Sequence, residues 1–261
     1  MGIISIDDEK YAKYERMILE RDRCRKEAKL AETRYIHTFG DLITAVFKQK
    51  IECISLKKML SYCLSYVNRN ENIDLNNVLI KIKVEMTQYH TQLKEMIAEN
   101  EMCKKLEKIS ESDALRVKQI YRRIAKKLHP DLNPQTEQHK ELLELWQRNV
   151  IAYRCNNLEE LEAVEVLTEQ ALANLGQEKT LVDIPDIDEK IEEIRKEIKK
   201  IKSTDPYLYR IILNDNELIK EKKRELQDEL NEYKEYTEQL KRQLKEFVTD
   251  EGMFNWTIGQ N

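Results

Sequence analysis

Apolar residues recur three and four positions apart along most of the chain, and the positions between them are charged. This is the pattern of amphipathic helices with one covered face. Ser5, Ile6, Asp7 and Asp8 form a capping-box-like start, and Tyr14, Met17, Cys24, Ala28, Ala31 and Tyr35 then mark a thin seam with Arg21 inside it. After Gly40, a second helix is predicted by Leu42, Ile43, Val46, Phe47, Ile51, Ile54, Leu60 and Leu64. It ends in the turn-like run Asn68 to Asn72 and needs a partner to cover it. From Asp74 a sustained seam of Leu75, Leu79, Ile82, Met86, Tyr89, Leu93, Met96, Asn100 and Cys103 reads as coiled coil. Asn100 is either a buried, register-setting amide or a solvated residue near a helix end.

The last third repeats the theme. Ile184, Ile187, Ile191, Ile194, Ile198 and Ile201 follow a three-four spacing, with Asp186 and Glu189 as a capping box. Ser203, Thr204, Asp205 and Pro206 interrupt it, Asp205 as a cap and Pro206 as the first helical position of a second arm. That arm carries Ile212, Ile219, Leu226, Tyr233, Leu240 and Phe247 at every seventh position, so residues 186 to 249 predict a helical hairpin. At about 43 residues and roughly 65 Å the second arm overhangs the first, and its distal half needs a surface from self-association or from a client.

The pattern divides the chain into a charged N-terminal helix (1–39), a helical hairpin or coiled coil (40–110), a central segment (112–175), a C-terminal coiled-coil hairpin (183–249) and a tail (250–261). The fold class is all-α, with elongated coiled-coil helices flanking a central helical hairpin. Composition agrees: charged residues make up 36% against roughly 25% in ordinary domains, and five Gly and four Pro leave few tight turns.

Net charge is −4, so the whole chain offers no basic field for nucleic acid or anionic lipid. No apolar run is long enough to cross a membrane. The N-terminus lacks the Ser or Thr of a myristoylation signal, and no C-terminal Cys is placed for lipidation, so the expectation is a soluble, cytoplasmic protein. Cys24, Cys53, Cys63, Cys103 and Cys155 are scattered without a C-x-x-C pair, which argues against a disulfide framework and a zinc site. His37, His90 and His139 stand apart from one another, and no cofactor or metal is expected.

The central segment carries the chemistry. Between Ala114 and Pro130 stand Arg116, Lys118, Arg122, Arg123, Lys126 and Lys127 with no acidic residue. On a helix, Val117, Tyr121, Ile124 and Leu128 form an apolar stripe, and Lys118, Arg122, Lys126 and His129 form a second, polar one. Pro130 ends that helix and leaves His129 and Asp131 on an exposed turn closed by Asn133 and Pro134. From about Gln135 a return helix places Leu143, Trp146, Val150 and Tyr153 on one face, suited to lie against the first helix. His129 and Asp131 flank a proline on a convex turn without a nucleophile or an oxyanion donor, so no catalysis is read there.

This run, Tyr121, Arg122, Arg123, Ile124, Ala125, Lys126, Lys127, Leu128, His129, Pro130 and Asp131, then Asn133 and Pro134, resembles the J-domain family of DnaJ-type co-chaperones. Trp146 stands where the family has Phe, and Ala152 and Tyr153 match its Ala-Tyr pair. The resemblance covers residues 112–157. It departs from the family in lacking the short first helix, for which the coiled-coil helix ending near Ser110 substitutes, and in placing Asn149 at an apolar position. The resemblance implies docking on a DnaK-type ATPase chaperone and stimulation of its ATP hydrolysis. Lys118, Tyr121, Arg122, Arg123, Lys126 and Lys127 would join His129, Pro130 and Asp131 in the chaperone-binding set, with Asp131 taking a partner arginine. This chain would hydrolyse nothing itself, and its coiled-coil arms would serve oligomerisation or client contact.

Two other readings stand beside it. The chain is alternatively a structural coiled-coil scaffold with a vestigial J-like segment. The basic helix is alternatively a solvated face, or one screened by Glu159, Glu160, Glu162, Glu165 and Glu169 on a trailing helix opened by Asn157 and closed at Gly176. Nucleic acid ranks behind both, because glycine and aromatic interleaving are missing from the basic helix. In the tail, Phe254 and Trp256 read as a docking peptide or as a fold-back onto a bundle end.

Overall fold

The computed structural model describes residues 6–105, 110–175 and 186–247. The Ser5 cap, Ile184, Gly176 and the aromatic tail lie outside them. The fold is all-α, with ten helices and no strand among the described residues: α1 (Ile6–Asn68), α2 (Leu75–Glu85), α3 (Thr87–Lys105), α4 (Glu111–Leu128), α5 (Gln135–Gln138), α6 (Lys140–Arg154), α7 (Leu158–Asn174), α8 (Ile187–Lys202), α9 (Tyr209–Leu213) and α10 (Asn216–Lys245). Two compact units result, one from residues 1–32 and 107–211, the other from 33–106 and 212–261.

The expected division at 39/40 falls inside a continuous helix, because Gly40 does not interrupt α1. A glycine in a helix interior costs about 1 kcal/mol relative to alanine, too little to end a helix whose neighbours are packed. At Gly40 the missing side chain is used: a Cβ there would lie 2.3 Å from Oδ1 of Asn100 on α3. Asn100 is buried and its Nδ2 donates to Asp41 at 2.7 Å, so the buried reading of this amide is the correct one. The turn at Asn68 to Asn72 forms as expected, with Asn70 in the left-handed region at φ 53° that asparagine tolerates.

In the second unit, Ile51, Leu56, Met59 and Cys63 of α1 share a core with Val78, Ile82 and Met86 and with Leu240 and Leu244 of α10. The predicted pairing of α8 with α10 is therefore corrected: their seams belong to different cores. Ile191, Ile194 and Ile198 of α8 pack with Tyr14, Ile18 and Cys24 of α1 in the first unit. The apolar seam of α10 is buried within the chain at Leu226, Leu230, Leu240 and Leu244, which removes the need for an outside surface there. Two caps also differ from expectation. Asp186 sits at φ 57° with no side-chain cap bond, and α10 starts at Asn216 with Asp215, not Asp205, accepting from the amides of Glu217 and Leu218.

In the first unit, α4, α6 and α7 pack around Val117, Ile120, Tyr121, Ile124, Leu128, Leu142, Leu145 and Leu161. Ser110 caps α4 by accepting from the Asp113 amide, and the helix stops at Leu128 because His129 takes the extended conformation (φ −64°, ψ 122°) that a following proline favours. Asn157 caps α7 by accepting from the Glu160 amide at 3.0 Å, as its spacing predicts. The core face of α6 is Leu142, Leu145, Asn149 and Ala152, one position away from the predicted stripe. Trp146 is only partly buried, although Tyr153 is buried as well. The polar Asn149 breaks the true stripe when it is read as a hydrophobic pattern.

Candidate functional site

The turn after α4 is tied down locally. Asn133 donates from its amide to the His129 carbonyl at 2.8 Å and from Nδ2 to the Lys126 carbonyl at 3.1 Å. The Asp131 amide donates to Nδ1 of His129 at 3.1 Å. On the other side of the ring, Nε2 faces Oδ2 of Asp22 at 3.4 Å and Nη2 of Arg21 at 3.3 Å.

The N-terminal stretch of α1 lies over this turn, so the expectation of an exposed His129 is corrected. His129 is 5% exposed, whereas the Asp131 side chain remains 41% exposed. The cause is Arg21, the charged residue in the first apolar seam. Its Nη1 donates to Oδ2 of Asp131 at 3.1 Å, and its Nε and Nη2 donate to Oδ1 of Asp22 at 3.3 Å. A third carboxylate, Glu197 of α8, lies 4.0 Å from Nη1. Burial works against the guanidinium charge, and Asp22, Asp131 and Glu197 outweigh it, so the Arg21 pKa is raised.

Asp22 is the centre of the network. Burial pushes its pKa up, but the imidazole of His129, the charge of Arg21 and the hydroxyl of Tyr121 more than reverse this, and the net direction is down. Tyr121 is 4% exposed, so this predicted contact residue belongs to the interior. Burial, reinforced by Asp22, raises its pKa. Its ring stacks on Tyr153 at 3.8 Å between centroids, and His129 lies 4.6 Å from the Trp146 ring. Lys26 of α1 closes the group, its Nζ 3.8 Å from the centre of the Tyr153 ring. Burial lowers the Lys26 pKa to about 8 and pushes Tyr153 up to about 12.

A cleft flanks the turn on each side, where a convex surface was expected. One, of about 410 Å³, is lined by Tyr14, Arg21, Pro130, Asp131, Lys190 and Ile194. The other, of about 450 Å³, is lined by Asp22, Lys26, Tyr121, His129, Trp146 and Tyr153.

The basic residues of α4 divide into three sets. Arg123 holds Glu165 of α7 with two bonds, at 2.5 and 2.9 Å, while Arg116 pairs with Glu162 and Lys127 with Glu169. Lys126 pairs with Glu15 of α1 at 2.8 Å. Lys118 and Arg122 have no ion-pair partner among the described residues, and Arg122 is exposed. The predicted stripe Lys118, Arg122, Lys126 and His129 is therefore one surface, covered by α1 at its His129 end and open at the other.

Sequence reasoning missed Asp22, which lies off the apolar seam and gains its role only through tertiary contact. Arg21 was visible as a charge inside a seam, a signal that a partner carboxylate had to be near. Among the described residues no cluster of His, Cys, Asp or Glu is grouped to hold a metal, and no helix is long and apolar enough to cross a membrane. Compared with protein-family models, with curated proteins and with solved structures, the chain shows no match.

Proposed function

We propose that this chain is a co-chaperone of the J-domain type, docking on a DnaK-type ATPase chaperone through α4 and the His129-Pro130-Asp131 (HPD) turn and stimulating its ATP hydrolysis. The observation that carries the reading is the Arg21–Asp131 pair. Asp131 projects from a rigid turn and binds a guanidinium at 3.1 Å, the interaction a partner arginine would make there. Lys118 and Arg122 supply a cationic approach for an acidic partner surface, which raises association rate more than affinity. The helices outside α4 to α7 would serve client contact or oligomerisation, in a cytoplasmic setting.

One observation favours the second reading, a helical scaffold in which the J-like segment is structural. His129 spends its bonds on Asp131 and Asp22 inside the chain. Single-turnover hydrolysis by a DnaK-type chaperone separates the two, run with the intact chain and with Arg21→Ala, each alone and combined with His129→Gln or Asp131→Asn. Stimulation that disappears with either HPD substitution supports the co-chaperone. Identical rates throughout leave the scaffold.

A further inference from the structure

We infer that α1, from Glu9 to Glu32, is a detachable latch that occupies the HPD face and competes with the chaperone for it. The inference rests on the co-chaperone reading and assigns the regulation of that same site.

The two sides of α1 differ in chemistry. Toward α8 its contact has an apolar core, in which Tyr14, Ile18 and Cys24 meet Ile191, Ile194 and Ile198, flanked by the ion pairs Lys10–Asp188, Arg25–Glu197 and Glu20–Lys202. Toward the HPD turn the contact is mostly polar. Arg21 holds Asp131, Asp22 faces His129 and accepts from Tyr121, and Glu15 holds Lys126. The apolar contact across this side is Leu132, the one residue of the turn that enters the core shared by α1 and α8, together with Leu19 of α1, which is partly buried against the core of α4, α6 and α7. Predominantly polar contacts are the ones another polar surface can replace, whereas α4, α6 and α7 keep their own apolar core when α1 leaves.

The latch also has the right valence. Arg21 presents to Asp131 the cation that a chaperone arginine would bring, and Glu15 presents to Lys126 the carboxylate that an acidic chaperone surface would bring. Docking therefore requires exchange of like for like. The apparent affinity of the closed chain is reduced by the fraction of molecules in which α1 is released.

The test uses the full chain as wild type, Arg21→Ala and Glu15→Lys, each with and without His129→Gln. It reads amide deuterium exchange at residues 131–133 and single-turnover hydrolysis by a purified DnaK-type chaperone. Removing the guanidinium leaves Asp22, Asp131 and Glu197 facing one another, so Arg21→Ala should raise exchange at the turn by on the order of tenfold while α4 and α6 stay protected. The concentration giving half-maximal stimulation should fall by a similar factor, and the stimulation should vanish when His129→Gln is added. Glu15→Lys opposes Lys126 outside the Arg21–Asp22–Asp131 network and should act in the same direction with that network intact, so a folding defect of Arg21→Ala does not decide the matter. Equal stimulation by all three chains that is lost with His129→Gln overturns the latch and leaves the co-chaperone reading standing. Unchanged exchange at the turn in both variants also overturns the latch. Raised exchange with no stimulation by any chain overturns the co-chaperone reading, and the latch with it.

Discussion

The hydroxyl of Tyr121 donates to Asp22 across 2.7 Å, joining the interior of α4 to the helix that covers it. Tyr121→Phe keeps the ring stacked on Tyr153 and removes only that donor to a buried carboxylate. Hydrogen bonds to charged groups contribute about 1.5–3 kcal/mol, and a loss in that range is expected in urea denaturation. Phenylalanine as stable as tyrosine would mean that Asp22 finds another donor.

The same carboxylate predicts an acid response. The folded pKa of Asp22 lies below its ordinary value, so its contribution is complete at neutral pH and is lost as pH falls below about 4. Asp22→Asn should flatten the decline of stability in that acid window, measured as denaturant midpoint against pH. A variant whose midpoint falls as steeply as the wild type removes Asp22 from the account.

Lys26 works with the opposite sign. Burial depresses its pKa to about 8, so below that pH the folded chain holds a partly desolvated ammonium, and above about 10.4 the amine is neutral in both states. The unfolded chain binds more protons between these limits, so the Lys26 penalty disappears as pH rises through them. Lys26→Met should be more stable than wild type at neutral pH, with the advantage shrinking from pH 8 upward. An advantage constant with pH would assign the gain to packing instead.

Two buried amides show where the sequence was legible and where it was not. Asn100 stood out as a polar residue in a seam, and its two readings could not be separated without its partner, Gly40 on α1. Gly40→Ala should gain helix propensity yet force Asn100 out of its bond with Asp41, giving little or no net stability. Gly40→Ala with Asn100→Ala should recover about 1 kcal/mol over Asn100→Ala alone. Additive effects in that cycle would mean that the close approach does not exist. Asn149 is fully buried, and neither of its amide atoms has a hydrogen-bond partner among the described residues. An unsatisfied buried polar group costs about 1–3 kcal/mol, so Asn149→Leu is expected to raise the urea midpoint.

Local signals suffice where one residue acts on its own neighbours. Pro130 ends α4 and Asn157 caps α7 because both effects operate within a few bonds. The HPD turn was legible as a turn but not as a covered one, since the cover is Arg21 and Asp22, over one hundred positions away in the chain. No spacing rule links them. The partner of α8 is not legible for the same reason: its isoleucine seam specifies an apolar neighbour without specifying which one.

Glu162, Glu165 and Glu169 stand along α7 opposite Arg116, Arg123 and Lys127, so the acidic helix screens one side of the basic one. Exposed pairs of this kind contribute about 0–1 kcal/mol each, and replacing the three glutamates with glutamine should leave the fold intact. The electrostatic consequence is larger than the stability consequence, because three cations of α4 are released into the field that an acidic chaperone surface meets. The triple variant should therefore associate several-fold faster than wild type with a DnaK-type chaperone at low salt in stopped-flow measurement, and the difference should collapse at high salt, where the Debye length falls to about 3 Å at 1 M. Equal association rates at low salt would show that α7 does not screen the basic helix, and the pairs with α4 would then be structural alone.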